Sequence, residues 1–343
     1  MTPRVVILGN GYASYCQLPA LAWAAAQGSP SEVVAICGRD LAKAQQTARR
    51  FAALGPLVAT TSLSEALSHK PDLVLVATPV DLHASMVREI LATTSAAVLC
   101  EKPFTLDVDE ARALAALGQG RLCLVDHQLR FSAPRRRLRE LVRGGAIGTP
   151  WVARSEMCFG SMERLTRAPS WWDDKERGGG AALAIGSHLV DGLLWTLGPV
   201  VDVQARLTTC VRERGGVAVT ADDHAELWLG HASGARSTML CTTVQVHGRR
   251  SLVEVIGSEG VVRLVDEDAL FIGRHDGPLA QVPVRLPSIA DVSAANDSAF
   301  ARSEPLLLRA LIDAVAAGQR ELPGAATFAD AVACVGVLAA ARR

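Results

Sequence analysis

Short, continuously apolar runs alternate with helix-like segments through the first 126 residues, and this alternation constrains the fold more than any other feature. Val5-Val6-Ile7-Leu8 comes first, followed by an alanine-rich helical stretch from Leu18 to Ala26. Val33 to Ile36, Asp72 to Ala77, Ala97 to Cys100 and Leu122 to Val125 read as further strands. Leu41 to Phe51, His83 to Leu91 and Asp107 to Leu117 read as the helices between them. A strand that is apolar at every position, not at alternate ones, is covered on both faces. Such strands separated by helices predict an α/β architecture with a doubly wound parallel sheet.

The pattern changes after residue 126. A helix is expected from Pro134 to Arg143, and longer alternating strands follow: Trp151 to Phe159, Val201 to Thr209, His224 to Trp228, Ser237 to Val246, Leu252 to Ile256 and Val261 to Val265. Ala232-Ser233-Gly234 and Gly257-Ser258-Glu259-Gly260 read as hairpin turns. Helices are expected at Gly186 to Leu197, Pro305 to Ala317 and Phe328 to Ala341. The second half therefore reads as an α+β domain with an open-faced, mostly antiparallel sheet. The expected division is 1–126 and 127–343, and 343 residues exceed what one core usually organises. His275 to Ser303 lacks periodicity and reads as a long functional or mobile loop.

Thirty-five Lys and Arg balance 35 Asp and Glu. Such a chain has no global field for nucleic acid or an anionic membrane, so neither is expected as a partner. No apolar run reaches the roughly 18 residues of a spanning helix, and no signal-peptide h-region is visible. The eight cysteines, from Cys16 to Cys334, form no C-x-x-C pair and read as reduced, buried small side chains. A cytoplasmic protein is the expectation. His224, His231, His247 and His275 lack ligand spacing, so no metal site is expected. No Gly-x-Ser-x-Gly elbow or P-loop is present.

Gly9-Asn10-Gly11-Tyr12-Ala13-Ser14 sits where the first strand hands over to the first helix. Gly9 permits a tight turn, Gly11 lets the backbone approach a pyrophosphate, and the helix start offers N–H donors. Ser14 stands where the fingerprint has its third glycine, and it is still small. This is the dinucleotide-binding signature of a Rossmann domain. Enzymes that use NAD usually place an acid at the end of the second strand. This chain has Cys37-Gly38-Arg39 there, and the Arg39 guanidinium suits a 2′-phosphate. NADP(H) is therefore expected over NAD(H).

Asp72 to His83, reading D-L-V-L-V-A-T-P-V-D-L-H, is followed by Glu101-Lys102-Pro103. Gln128-Leu129-Arg130-Phe131, Gly145-Ala146-Ile147-Gly148, Gly178-Gly179-Gly180, Gly186-Ser187-His188 with Asp191, and Gly257 to Gly260 come in order behind. Over nearly its whole length the chain resembles the glucose–fructose oxidoreductase / inositol dehydrogenase (Gfo/Idh/MocA) family. The resemblance implies a Rossmann domain, an open-sheet domain and an active site between them. It also implies hydride transfer between nicotinamide and a sugar, cyclitol or other small carbonyl or alcohol. It assigns catalysis to Lys102, with Pro103 beside it, and to His188. It assigns cofactor contacts to Gly9, Gly11, Tyr12, Ala13, Arg39, Thr78, Pro79, His83, Glu101 and Lys102, and the glycine turn adds Asn10. A homodimer or homotetramer through the open sheet face is implied as well.

A lysine just past a strand's carboxyl end, partly desolvated beside the cofactor, is a usable acid or base. Asp191 lies three residues after His188, where a carboxylate can orient the imidazole or cap the turn. Trp171 and Trp172 precede the glycine turn as candidate walls of a substrate pocket. The family commonly has an aspartate four residues before the histidine, and here that residue is Ala184. Three readings follow: a substitute acid, with Asp191, Asp173, Asp174 and Tyr12 as candidates; a reduction that needs only Lys102; or loss of redox chemistry. The alternatives to an oxidoreductase are a non-catalytic NADP-binding sensor or scaffold, and a nicotinamide-dependent lyase or glycoside-cleaving enzyme. Arg135-Arg136-Arg137 with Arg139 reads as a solvated helix face.

Overall fold

A computed structural model describes residues 1–160, 166–275, 277–286 and 298–343. They form two compact units that interleave along the chain. The sequence division at 126/127 follows the change of pattern. The first unit, by contrast, runs to residue 132 (106–108 excepted) and takes in the described part of 287–332.

The first unit holds β1 (Arg4–Leu8), β2 (Glu32–Cys37), β3 (Val58–Thr60), β4 (Leu73–Val76), β5 (Ala97–Cys100) and β6 (Cys123–Val125). Their order across the sheet is β6-β5-β4-β1-β2-β3, all parallel, and Ala326–Thr327 adds an antiparallel edge to β6. Helices α1 (Leu18–Ala26), α2 (Leu41–Arg50), α3 (Leu63–Ser68), α4 (His83–Thr93) and α5 (Val108–Leu117) connect the strands. The doubly wound parallel sheet is as expected, with β3 and α3 as elements too short to read from periodicity. Val5, Ile7, Val33, Ile36, Leu73, Leu75 and Leu99 are fully buried in its core. Each such side chain contributes roughly 1.5–3 kcal/mol relative to exposure.

The helix α8 (Ala299–Ala316) closes this core with Leu307, Leu308, Leu311 and Ile312. It starts six residues before the expected Pro305, because the Ser298 side chain caps it by accepting from Ala301 N–H. Pro305 lies inside the helix rather than opening it.

Register places the site. Leu8 pairs with Val76, Val76 with Cys100, and Cys100 with Val125. The strand ends are level, so the next residues, Gly9, Ala77, Glu101 and Asp126, line one edge of the sheet. Chain order reverses between β4 and β1, and in such sheets ligands bind outside the carboxyl ends at that point.

The second unit holds α6 (Ala133–Arg143), α7 (Ser187–Leu197) and, in its sheet, β7 (Pro150–Cys158) and β8 (Val200–Thr208). A two-stranded ribbon, β9 (Glu213–Arg214) and β10 (Val217–Ala218), precedes β11 (His224–His231), β12 (Arg236–Thr242), β13 (Arg250–Gly257), β14 (Gly260–Val265), β15 (Ala269–Arg274) and β16 (Ala280–Val282). The main sheet runs β16-β15-β14-β13-β7-β12-β11-β8, antiparallel except between β7 and β12. The two hairpins fall at the expected turns. Ala153, Ser155 and Met157 of β7 are buried, while Val152 and Arg154 point the other way and are exposed. Much of the expected long loop, residues 276 and 287–297, lies outside the described residues.

One helix departs from its reading. Arg135 is 7% exposed, and its guanidinium binds both Glu267 oxygens at 2.7 Å. Arg139 stacks on the Trp195 ring at 4.6 Å. The expected solvated arginine face is therefore partly an internal clamp, while Arg137 is paired in the open with Glu140. The partner Glu267 lies far away in sequence, so no local pattern could announce it. Seven of the eight cysteines are buried as expected, and Cys210 is exposed. No described helix is long and apolar enough to cross a membrane.

Candidate functional site

In the first unit, Gly9 has φ +102°, and a Cβ there would stand 2.3 Å from the Ala77 carbonyl oxygen. Only glycine lets the turn after β1 press against the chain leaving β4. A Cβ on Gly11 would meet nothing within 4 Å. That open space lies before a helical run that begins as a π-type turn, Ala13–Gln17, and continues as α1. Ser14 turns its hydroxyl back to the Gly11 carbonyl at 2.9 Å. Asn10 presents a buried amide oxygen with no partner among the described residues. A glycine cradle, a helix start and an unsatisfied buried amide together fit a dinucleotide phosphate and ribose.

At the end of β2, Arg39 is exposed and has no hydrogen bond or ion pair among the described residues. The nearby acid, Asp40, is committed: it caps α2 by accepting from Lys43 N–H at 3.1 Å.

After β4, Thr78 and Pro79 lead to His83. That imidazole is 1% exposed. Its Nε2 is 2.8 Å from the Thr78 carbonyl, and its Nδ1 is 3.1 and 3.2 Å from the carbonyls of Pro103 and Phe104. Burial pushes the His83 pKa below its ordinary value, against the pull of these carbonyls. His83 thus ties the loop after β4 to the loop after β5. Lys102 stands in that second loop, before a cis peptide bond to Pro103. Burial lowers the Lys102 pKa, while the carboxyls of Glu101, Asp126 and Glu304 pull it up.

These three acids form the part of the site that sequence reasoning missed, apart from Glu101. Glu101 is 7% exposed, Asp126 and Glu304 are 0%. Glu101 accepts from Lys102 N–H at 3.3 Å and from Gln17 Nε2 at 3.5 Å. Tyr12 donates to Glu304 at 3.5 Å and receives from Gln128 Nε2 at 2.8 Å. Burial, then mutual repulsion, raises Glu101 and Glu304 well above the usual carboxylate range. Burial raises Asp126 too. A polar residue at a strand's carboxyl end, or inside an apolar helix such as that of Gln17 and Glu304, was the available signal.

In the second unit, a π-type turn, Ala182–Gly186, runs directly into α7. A Cβ on Gly186 would lie 3.0 Å from Met239 Cε, so glycine allows this helix start to approach β12. His188, on the first turn of α7, and Asp191, which begins the second, are each 2% exposed. Ala184 is buried at 1%. The π turn's hydrogen bonds run i→i+5, so the four-residue step from Ala184 to His188 is not that of a regular α-helix. Trp171 and Trp172 are half-buried, with ring centroids 5.6 Å apart. Of the candidate substitutes for the missing acid, Asp173 does not fit. Burial raises its pKa, but Arg167 at 2.6 Å and Arg214 at 3.0 Å hold it below the usual range as a paired carboxylate. Asp174 accepts from Glu176 N–H. Among the described residues no cluster of three or more His, Cys, Asp or Glu side chains could hold a metal ion.

Comparison with known proteins agrees with both units. The family described as "Oxidoreductase family, NAD-binding Rossmann fold" matches residues 3–127, and the "GFO/IDH/MocA C-terminal domain" matches residues 135–263. An uncharacterised oxidoreductase of Synechocystis is 31% identical over 267 residues, 75% of this chain and 70% of that protein. D-apiose dehydrogenase of Paraburkholderia graminis is 28% identical over 277 residues, 79% of this chain and 70% of the relative. Levoglucosan dehydrogenase in complex with NADH and L-sorbose has a TM-score of 0.86 at 21% identity, over 100% of this chain and 96% of that one, which shows a shared fold. With the glycine turn, the Glu-Lys-Pro loop and both domain matches in place, the chain belongs to the Gfo/Idh/MocA family of oxidoreductases.

Proposed function

We propose that this protein is an NADP-dependent dehydrogenase or reductase acting on a small polar carbonyl or alcohol of the sugar or cyclitol kind. The observation that carries the reading is the alignment of Gly9, Ala77, Glu101 and Asp126 along the sheet edge, with Lys102 one residue beyond. The nicotinamide, when bound, supplies or accepts the hydride. Lys102 is the main acid or base at the substrate oxygen, its proton loosened by burial. Gly9, Asn10, Gly11, Tyr12 and Ala13 hold the phosphates and ribose, Thr78, Pro79 and Glu101 line the nicotinamide end, and His83 fixes the two loops. The preference for NADP rests on an unpartnered Arg39 beside an Asp40 already used as a cap. His188, with Asp191 three residues on along α7, orients substrate or serves as a secondary acid–base group. The apiose and levoglucosan dehydrogenases support a sugar-like substrate class.

The exposed sheet face supports self-association. Gln204, Trp228, Thr238, Arg154, Glu254 and Arg263 are in register in one row across five strands and on to β14. Trp228 in that row is 45% exposed, and Val152 of β7 is 41% exposed.

A panel of sugars, cyclitols and small carbonyls, followed by nicotinamide absorbance in both directions, tests the activity. Ala184 favours one rival, a nucleotide-binding sensor. Tight NADPH binding with no turnover on any member of the panel would select it.

A further inference from the structure

Five buried acceptor oxygens beneath the glycine turn have no donor among the described residues: both of Asp126, Oε1 of Glu304, Oε1 of Gln17 and Oε1 of Gln128. Their residues are 0 or 1% exposed. The neighbours of the Asp126 carboxyl are the carboxyls of Glu101 and Glu304 and the amide of Gln17, whose Nε2 donates at 3.5 Å to Glu101 and is shared between two acids. Ionised carboxylates only accept, so two carboxyl groups hydrogen-bond to one another only if one carries a proton. Unsatisfied buried acceptors are costly, and protons shared among the three acids would supply the missing donors.

Charge balance points the same way. Titratable groups at the cluster include Tyr12, Tyr15 and Cys16 from the helix start, Cys100, Glu101 and Lys102 at the end of β5, Asp126 after β6, and Glu304 on α8, with buried His127 and Arg130 next along the chain from Asp126. Lys102 is the cation that acts on Glu101 and Asp126, set against three acids. Carboxylates confined together do not all ionise.

We infer that Glu101, Asp126 and Glu304 act as one proton store, which holds a shared proton in the ligand-free protein and releases it when a positively charged, oxidised nicotinamide binds beside Lys102. Retention of the proton stands on the cluster alone, and its release rests on the cofactor reading above. In a reduction, Lys102 gives an ammonium proton to the carbonyl oxygen. The store's O–H then breaks as a new N–H forms on the lysine amine, and the carboxylate left behind is favoured by the positive charge of the oxidised cofactor. Glu101, Asp126 and Glu304 are thus positioning residues that act through Lys102.

Infrared spectroscopy of the ligand-free protein at neutral pH tests retention. The carbonyl stretch of a protonated carboxylic acid is expected, lost or shifted in Asp126→Asn and Glu304→Gln, and unchanged in the exposed control Asp109→Asn. No such band, or the same band in every variant, overturns the store. Release is tested by binding NADP+ and NADPH in weakly buffered solution. NADP+ should expel protons and bind more tightly as pH rises, by at most ~10-fold per pH unit for a single linked proton, whereas NADPH should do neither. Equal proton release by the two forms overturns the release step. If neither form binds, the cofactor reading and the release step fall together, and the infrared band alone decides retention.

Discussion

The Nδ1 of His83 lies 3.1 Å from the carbonyl oxygen of Pro103, so a residue at the start of α4 fixes the loop that carries Lys102. Its Nε2 lies 2.8 Å from the Thr78 carbonyl, and the neutral ring that burial favours donates its one N–H to one loop and packs against the other. Two loops expected to touch the cofactor are thus set by one buried side chain. His83→Ala should cost about 1–3 kcal/mol of stability, because it removes the one N–H shared with these loops and leaves a cavity. It should also lower turnover more than cofactor affinity, since Lys102 loses its anchor. Urea unfolding combined with steady-state kinetics separates the two effects, and unchanged turnover would show that the loop keeps its place without the imidazole.

Lys102→Met preserves length and burial while removing the proton. Turnover should fall at least ~100-fold, the lower end of what positioned acid–base groups contribute, with NADPH binding mostly intact. Near-normal turnover would remove Lys102 from the chemistry.

The Arg135–Glu267 clamp in the second unit is buried on both sides, at 7% and 6% side-chain exposure. Breaking it from one side leaves an uncompensated charge, and Arg135→Met should cost about 3–5 kcal/mol. Pairing it with Glu267→Leu should recover much of that loss. Thermal unfolding of the two single variants and the double variant gives the coupling, and strictly additive losses would contradict the pairing.

The buried acids give stability a direction with pH. The folded state holds their protons more tightly than the unfolded chain does. Their contribution is fully present below the ordinary carboxylate range and is lost as pH rises toward their raised folded values. Lys102, whose folded pKa is lowered by burial, acts oppositely on the alkaline side. Asp126→Asn should therefore flatten the fall in unfolding free energy between mildly acidic and neutral pH. An unchanged slope would mean that Asp126 is ionised in both states.

Much of this was legible in the sequence for a physical reason. The strands of the first unit are apolar throughout because helices cover both faces, and the glycine turn at their head is a local motif. Glu101-Lys102-Pro103 was legible for the same reason. Asp126, Gln17 and Glu304 were not read, and Gln128 was read only as part of a motif, because their meaning is non-local: Tyr12 and Glu304 are 292 positions apart in the chain. Pro305 misled because proline is common at the first turn of a helix, whereas here the Ser298 cap lies further upstream. Arg135 misled because its partner belongs to another element. Ala184 was noticed, but the π turn between it and His188 has no sequence signature of its own.

We propose a nicotinamide site tuned to NADP by Arg39. Its most direct test is parallel titration of the purified protein with NADPH and NADH, following nicotinamide fluorescence, in the wild type and in Arg39→Ala. The account predicts tight NADPH binding, much weaker NADH binding, and a selective loss of NADPH affinity in the variant. Equal affinities, or equal losses in the variant, would contradict the NADP assignment, and failure of both cofactors to bind would contradict the oxidoreductase reading itself.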